Sequence, residues 1–387
     1  MLHILLFLIV LSILVLIHEA GHYFAARFFG VKAEEFGYGF PPRAIGFVKT
    51  HQGWKRVKAD DRTKYANTVW SINWLPLGGF VRLKGEMGNE ASDADSFQTQ
   101  KGWQKFIILA AGVTMNWLFA AAIFSIGFAS GVPTEIDRLP ASAHVSDAHI
   151  EIVEVVTGSA ADKAGFRMGD TIVTINGQIP ANAEASRTIL ADQNEKNIPL
   201  TMEVKRHGEL LTLNATPEYL PALDKPGLGV ALTNIGTVRF PIHLAIVQGF
   251  TLTAQYTLLI LQGFYQLIVD LFQERKLAAD VSGPVGIAVL TGSIFDQGFW
   301  ALMHFSAILS LNLAIINFLP IPALDGGRAV FVVMESIRRK RNNPRLEATV
   351  HQIGFVGLML LILVVTANDI SRYGSTIVNG IRNLLGL

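Results

Sequence analysis

A few long apolar runs separated by polar stretches constrain this chain more than any other feature. Four of them, at about 2–24, 106–132, 299–319 and 353–367 with its flanks, fit the roughly 20 residues needed to cross the hydrocarbon of a bilayer. Half of the 387 residues are hydrophobic and only 16% are charged, low for a globular protein. The pattern is that of a polytopic membrane protein. The first run begins where a secretory signal would, yet it lacks a cationic leading segment and continues into His18–Ala26 without a cleavage site, so it is expected to stay as a transmembrane helix. A fifth run, 240–272, carries Gln248, Gln255, Gln262 and Gln266. A glutamine about every two turns predicts an amphipathic helix lying on the membrane surface or packed on the bundle.

Charge then orients the chain. Basic residues outnumber acids between Arg27 and Lys101 and cluster again at Arg338, Arg339, Lys340, Arg341 and Arg345, whereas the stretch from Glu135 to Lys225 is acidic. The positive-inside rule puts the basic loops in the cytoplasm, with the acidic region and both termini outside. Strand-like runs at 150–156, 171–175 and 200–204, with a turn signal at Asn176-Gly177, make the outer region a small β-rich domain. Within it, Gly158-Ser-Ala-Ala-Asp-Lys-Ala-Gly-Phe-Arg-Met-Gly-Asp-Thr-Ile-Val-Thr-Ile-Asn-Gly177 resembles the bacterial form of the PDZ domain, which implies capture of an extended chain end as an added strand. On the inner side, 70–84 alternates apolar and polar residues around Pro76 and Gly78-Gly79 and predicts a β-hairpin with interfacial aromatics. Such backbone enters a membrane only where protein or a wet cavity covers it.

His18-Glu19-Ala20-Gly21-His22 is an H-E-x-x-H sequence at the inner end of the first run. On a helix, residues four apart share a face, so both imidazoles can reach one metal ion and Glu19 stands beside the remaining coordination position. A carboxylate there can take a proton from water and later deliver it to a departing amine. The chain has no cysteine, so a transition-metal site must be built from His, Asp and Glu. The plain alternative is a helix end whose polar residues meet headgroups, but ionisable residues within an apolar span generally carry function.

A third ligand is harder to find. His243, His304 and His351 stand alone and suit packing or interfacial roles. Asp325 lies in Asn317-Phe-Leu-Pro-Ile-Pro-Ala-Leu-Asp325-Gly-Gly327, where two prolines end a span and two glycines free the backbone. It suits either a cap for the following helix or a metal ligand. With four spans, the third runs inward like the first and brings Asp325 to the depth of His18 and His22. That agreement requires that 240–272 does not cross once. A net charge of +1 gives no sign of a nucleic-acid partner.

HEAGH at 18–22, NFLPIPALDGG at 317–327, PLGGFVRLKGE at 76–86 and the PDZ-like segment together resemble the site-2 protease family of intramembrane zinc metalloproteases, over essentially the whole chain. The resemblance implies Zn2+ held by His18, His22 and Asp325, Glu19 as catalytic acid/base, and Asn317 near the substrate backbone. It makes 76–86, with Gly78, Gly79 and Phe80, a membrane-reentrant β-element that receives substrate as an added strand. It also implies a bacterial inner-membrane protein, with the PDZ-like domain and both termini periplasmic. The activity implied is regulated intramembrane proteolysis of single-pass membrane proteins, of the anti-sigma factor or remnant signal peptide kind. The expected architecture is a polytopic α-helical membrane protein of about four transmembrane helices, with the reentrant β-element and an inserted extracytoplasmic PDZ-like β domain. Its parts are a membrane core over 1–132, a single PDZ-like domain over 133–225, an amphipathic helical region over 226–297 and a second membrane core over 298–387.

Two departures from the family stand out. Gly112-Val-Thr-Met-Asn116 lacks the proline of the usual G-P-x-x-N, which predicts a straighter second helix. The sigma-E-regulating branch of the family carries tandem PDZ domains, and one such stretch is found here. A catalytically inactive PDZ adaptor or chaperone is the alternative function, and the intact His18, Glu19, His22 and Asp325 set argues against it.

Overall fold

The apolar runs form helices. In the computed structural model, which describes residues 2–61, 63–86, 93–137, 139–140, 142–196, 198–206, 208–220, 225–273 and 283–385, α1 (Leu2–Phe28) is followed by β1 (Ala33–Thr50), β2 (Gly53–Val57) and β3 (Val69–Leu83). Then come α2 (Gly102–Ser130), β4 (Val132–Glu135), β5 (His144–Val155), α3 (Ala160–Ala164), β6 (Thr171–Ile175), α4 (Ala183–Lys196), β7 (Leu200–Arg206) and β8 (Glu209–Ala215). The chain continues through β9 (Glu218–Leu220), β10 (Lys225–Gly227), β11 (Val230–Arg239), α5 (Ile242–Gln273), α6 (Pro284–Phe295), α7 (Phe299–Phe318), α8 (Asp325–Arg338) and α9 (Pro344–Leu385). Two compact units result, Met1–Phe124 with Gly249–Leu387, and Ser125–Gln248.

Among the described residues five helices, not four, are long and apolar enough to cross a membrane: Ile4–Phe28, Gly102–Ser130, Ile242–Asp270, Phe299–Phe318 and Arg345–Arg372. The added one is α5, whose glutamines interrupt the apolar surface without lowering its average enough to remove it from that class. Part of the predicted amphipathic region, residues 274–282, lies outside the described residues. Close approach packs the core of the first unit. Gly21 of α1 lies directly against the Ala111 carbonyl of α2, a contact no larger residue could make. Val10 and Leu14 of α1 are buried with Leu302 of α7. The Ser310 hydroxyl of α7 donates to the Asn116 carbonyl of α2 at 2.9 Å. α2 is one continuous helix through Gly112–Asn116. Buried Asp369 of α9 accepts from the Gly283 and Gly286 amides at 3.1 and 2.8 Å, satisfying donors that the start of α6 would otherwise leave unpaired.

The predicted hairpin at 70–84 takes a different form. Glu35–Tyr38 of β1 pairs with 69–72 through one side and with 79–82 through the other, so the two halves of β3 are separated by a strand rather than bonded to each other. The crowding explains why Gly37 sits at the centre, where a Cβ would meet the Phe80 ring and the Ser71 and Asn73 side chains. Beyond Thr50 the sheet continues in β2. Glu35 of β1 is buried; burial alone would raise its carboxyl, but the bidentate Arg43 guanidinium at 2.9 and 2.6 Å outweighs that and holds it below the usual range.

The second unit is a six-stranded sheet in the order β4-β11-β5-β6-β7-β8. Ile152, Ile175, Met202 and Val204 are fully buried in its core, each contributing about 1.5–3 kcal/mol. Asn176 and Gly177 turn the chain with positive φ at both positions, as their sequence signals. The sheet extends past residue 225, where the sequence places the domain's end, because β11 pairs along β5 from Val230 to Arg239. Asp170, wholly buried, is held by two bonds of 2.7 Å from Arg206. Arg206→Met leaves that carboxylate unpaired and is expected to destabilise this unit by about 3 kcal/mol or more. Limited proteolysis of the full chain reads this as faster cleavage within 125–248.

Candidate metal centre

Two turns of α1 and the first residue of α8 bring three ligand side chains to one point. His18 Nε2 lies 2.9 Å from Asp325 Oδ2, His22 Nε2 lies 3.2 Å from the same oxygen, and the two Nε2 atoms are 3.2 Å apart. His18 and Asp325 are separated by 307 positions in sequence. Both histidines are buried and Asp325 half-buried. Asp325 is not the cap of α8: Leu324 holds that position and makes no side-chain cap bond, so the carboxylate is free to face the imidazoles.

α2 orients the rings. The His22 Nδ1–H donates to the Ile108 carbonyl at 2.8 Å, which leaves Nε2 as the bare nitrogen facing Asp325. His18 Nδ1 lies 3.4 Å from the Asn116 amide, a group wholly buried whose Oδ1 has no partner among the described residues. Amide oxygen and nitrogen are exchanged by a flip about the same position. With the flip, Asn116 Oδ1 accepts from His18 Nδ1–H, the orphaned oxygen is satisfied, and His18 also presents a bare Nε2. Between these two contacts sits Gly112, where a Cβ would fall 2.5 Å from His22 Nε2 and 2.8 Å from His18 Nε2. In the sequence, Gly112 and Asn116 stand out only as part of a departure from a family pattern, not as site residues. Their spacing of four, which places both on one face of α2, is the signal that could have marked them.

Such a donor set, two imidazoles and one carboxylate with their ligand atoms within 4.8 Å of one another, is chemically suited to zinc. Glu19 Oε2 accepts from the Val81 amide at 2.9 Å. Val81 therefore turns its N–H away from β1 and toward α1. Gly78 and Gly79 lie against Val15 and Leu16 of α1; a Cβ would come within 3.0 and 2.9 Å of those side chains. Phe80 packs across Gly37. Asn317 is half-buried in the last turn of α7 and makes no side-chain hydrogen bond among the described residues. Glu86, just past β3, is ion-paired with Arg328 of α8, which ties the sheet to the helix that carries Asp325.

His243, His304 and His351 have separate surroundings. His243 is exposed. His304 accepts a place between Phe124 and Tyr256, 3.0 Å from the Tyr256 hydroxyl, as a packing residue. His351 is different. Its Nδ1 accepts from the Ala323 amide at 2.9 Å, two residues before Asp325, and Ala323 has φ of 80°. A positive φ at alanine costs about 1–3 kcal/mol and persists only where the surroundings impose it.

A buried two-histidine, one-carboxylate cluster with a glutamate beside it, in a chain of several membrane-length helices, defines a membrane zinc metalloprotease. The model of peptidase family M50 matches residues 6–59 and 60–361. The chain belongs to that family, and zinc is its metal. It is 30% identical to the zinc metalloprotease RasP of Geobacillus kaustophilus, covering 95% of this chain and 97% of that one. It is also 30% identical to the regulator of sigma-W protease RasP of Bacillus subtilis, with the same coverage. Among solved structures, the PDZ domain of an SdrC-like protein from Listeria monocytogenes aligns with 24% of the chain at 14% identity and a TM-score of 0.19, a likeness too slight to assign a fold.

Proposed function

We propose that this metalloprotease cuts transmembrane segments of single-pass membrane proteins in regulated intramembrane proteolysis, with His18, His22 and Asp325 holding zinc and Glu19 as acid/base. The observation that carries the reading is the meeting of the three ligand atoms at 2.9–3.2 Å where α1, a helix of membrane length, meets the start of the shorter α8. Bound there, zinc supplies Lewis acidity toward a scissile carbonyl and toward water. Glu19 takes the proton from the attacking water and returns it to the leaving amine, so that one carboxyl serves both halves of the reaction. A helical substrate must first be opened, since its internal hydrogen bonds shield its carbonyls. Gly79–Leu83 offers a route: an added strand bonding to the Val81 amide would replace the Glu19 contact with a substrate carbonyl and set that backbone beside the acid/base. Phe80 and Asn317 then flank the opened segment.

The β-rich unit serves as a single PDZ-like domain for capture of chain ends. A cavity of about 660 Å³ lies between α4 and the start of β11, lined by Arg187, Leu190, Leu228, Gly229 and Val230. Because β4, among the described residues, pairs with 235–238 of β11 and the Ile136 amide after it donates to the Asn234 carbonyl, residues 230–233 are left with an edge to which a peptide can add. The natural substrates are of the anti-sigma factor or remnant signal peptide kind. The chain lies in a bacterial inner membrane with this domain and both termini periplasmic, an arrangement in which α5, although long enough to cross, lies along the membrane or packs on the bundle instead.

Two measurements test this reading. Purified protein in liposomes should cut a model single-pass protein within its apolar segment, with sites mapped by mass spectrometry; cleavage confined to soluble loops would refute an intramembrane activity. A reporter fused after Arg341 should behave as cytoplasmic, and alkaline-phosphatase activity from that fusion would overturn the topology.

A further inference from the structure

We infer that His351 of α9 is a positioning residue for Asp325, because it holds the preceding turn in a conformation that alanine would otherwise abandon. The inference rests on the reading of Asp325 as a zinc ligand. Ile321, Pro322, Ala323 and Leu324 form a tight turn in which the Leu324 amide donates to the Ile321 carbonyl at 3.2 Å. Proline at the second position and φ of 80° at the third are the marks of a type II turn, which favours glycine at that third position. Alanine stands there instead. Types I and II differ by a flip of the central peptide, here Pro322–Ala323, and the type I form would return Ala323 to a negative φ.

The group that would reverse in that flip is the Ala323 N–H, and it is the group bonded to His351 Nδ1 at 2.9 Å. An acceptor there selects type II directly. With Nδ1 accepting, the proton of the neutral ring is on Nε2, which is buried and has no partner among the described residues, so the ring's one hydrogen bond in that environment is the one to the turn. One turn further along α9, Gly354 lies against Pro322, where a Cβ would come 2.7 Å from the Pro322 carbonyl oxygen. Two residues on one face of α9 thus grip the turn. The turn runs through Leu324 straight into Asp325, the first residue of α8. A flipped peptide would re-aim the entry to α8 and with it the carboxylate.

The test uses the full-length protein in detergent, zinc retention against a graded chelator, and thermal melting. His351→Ala should lower zinc affinity by about tenfold or more, the scale of losing a group that orients a ligand. His351→Asn, whose side-chain oxygen can occupy the position of Nδ1, should stay within about twofold of the parent. Adding Ala323→Gly to His351→Ala should restore binding, since glycine takes a positive φ without help. Restoration by Ala323→Gly separates a turn-holding role from general packing. Asp325→Ala is the control. If His351→Ala holds zinc as the parent does while Asp325→Ala loses it, the inference fails and the ligand assignment stands. If Ala323→Gly restores nothing, the inference also fails. If Asp325→Ala retains zinc at parental affinity, the ligand assignment falls and takes this inference with it.

Discussion

Glu19→Gln leaves zinc bound and slows peptide-bond cleavage by about 10²–10⁴-fold, the range that general acid/base groups supply. Glutamine matches glutamate in shape, and its amide oxygen can still accept from the Val81 amide that now bonds Glu19 at 2.9 Å. The junction between α1 and β3 should survive the change. What is lost is the capacity to take a proton and give it back. Metal analysis and a single-turnover assay on the same purified sample separate the two properties. A variant with full zinc and parental rate would remove Glu19 from the chemistry, whereas one with zinc lost would show that Glu19 helps hold the site together.

The site was legible in sequence to the extent that its geometry is local. His18 and His22 share a helix face by spacing alone. Asp325 needed a further step, because a carboxylate before two glycines is as good a helix cap as a ligand. Depth in the membrane favours the ligand, although that reasoning takes four spans and the described residues hold five helices of spanning length. The meeting of Asp325 with the histidines does not depend on the count. Long-range pairing was not legible: nothing in the alternation of 70–84 reveals that Glu35–Tyr38 lies between its halves, since a hairpin satisfies the same pattern. Ala323 carries no mark of a left-handed residue, and His351 looked solitary because its partner is a backbone amide. The carboxylate of Asp369 likewise meets α6 through backbone N–H groups, and such contacts leave no residue-type signal.

Gly112→Val is expected to disable the metal site while leaving α2 helical. Carbon and nitrogen atoms in contact settle at about 3.5–4.0 Å. A Cβ at position 112 would stand 2.5 Å from His22 Nε2 and 2.8 Å from His18 Nε2, so the rings must retreat by about an ångström. They have little room to do so. His22 is held through Nδ1 by the Ile108 carbonyl, one turn earlier on the same helix, and its Nε2 faces Asp325. Swinging the ring clear would break that bond and draw the nitrogen off the point where the three ligand atoms converge. Valine itself does not endanger the span, because an apolar β-branched residue is acceptable in a membrane helix. Zinc affinity should fall by about 10–100-fold, with cleavage lost alongside and the far-ultraviolet dichroism unchanged. Gly112→Ala should show the same direction with a smaller change, as the single methyl meets the same nitrogens but adds no branch. Gly263→Ala on α5, where a Cβ would have nothing within 4 Å, is the matched control and should alter neither property. Parental zinc retention by Gly112→Val would mean that the imidazoles move freely, and that α2 does not set their aim.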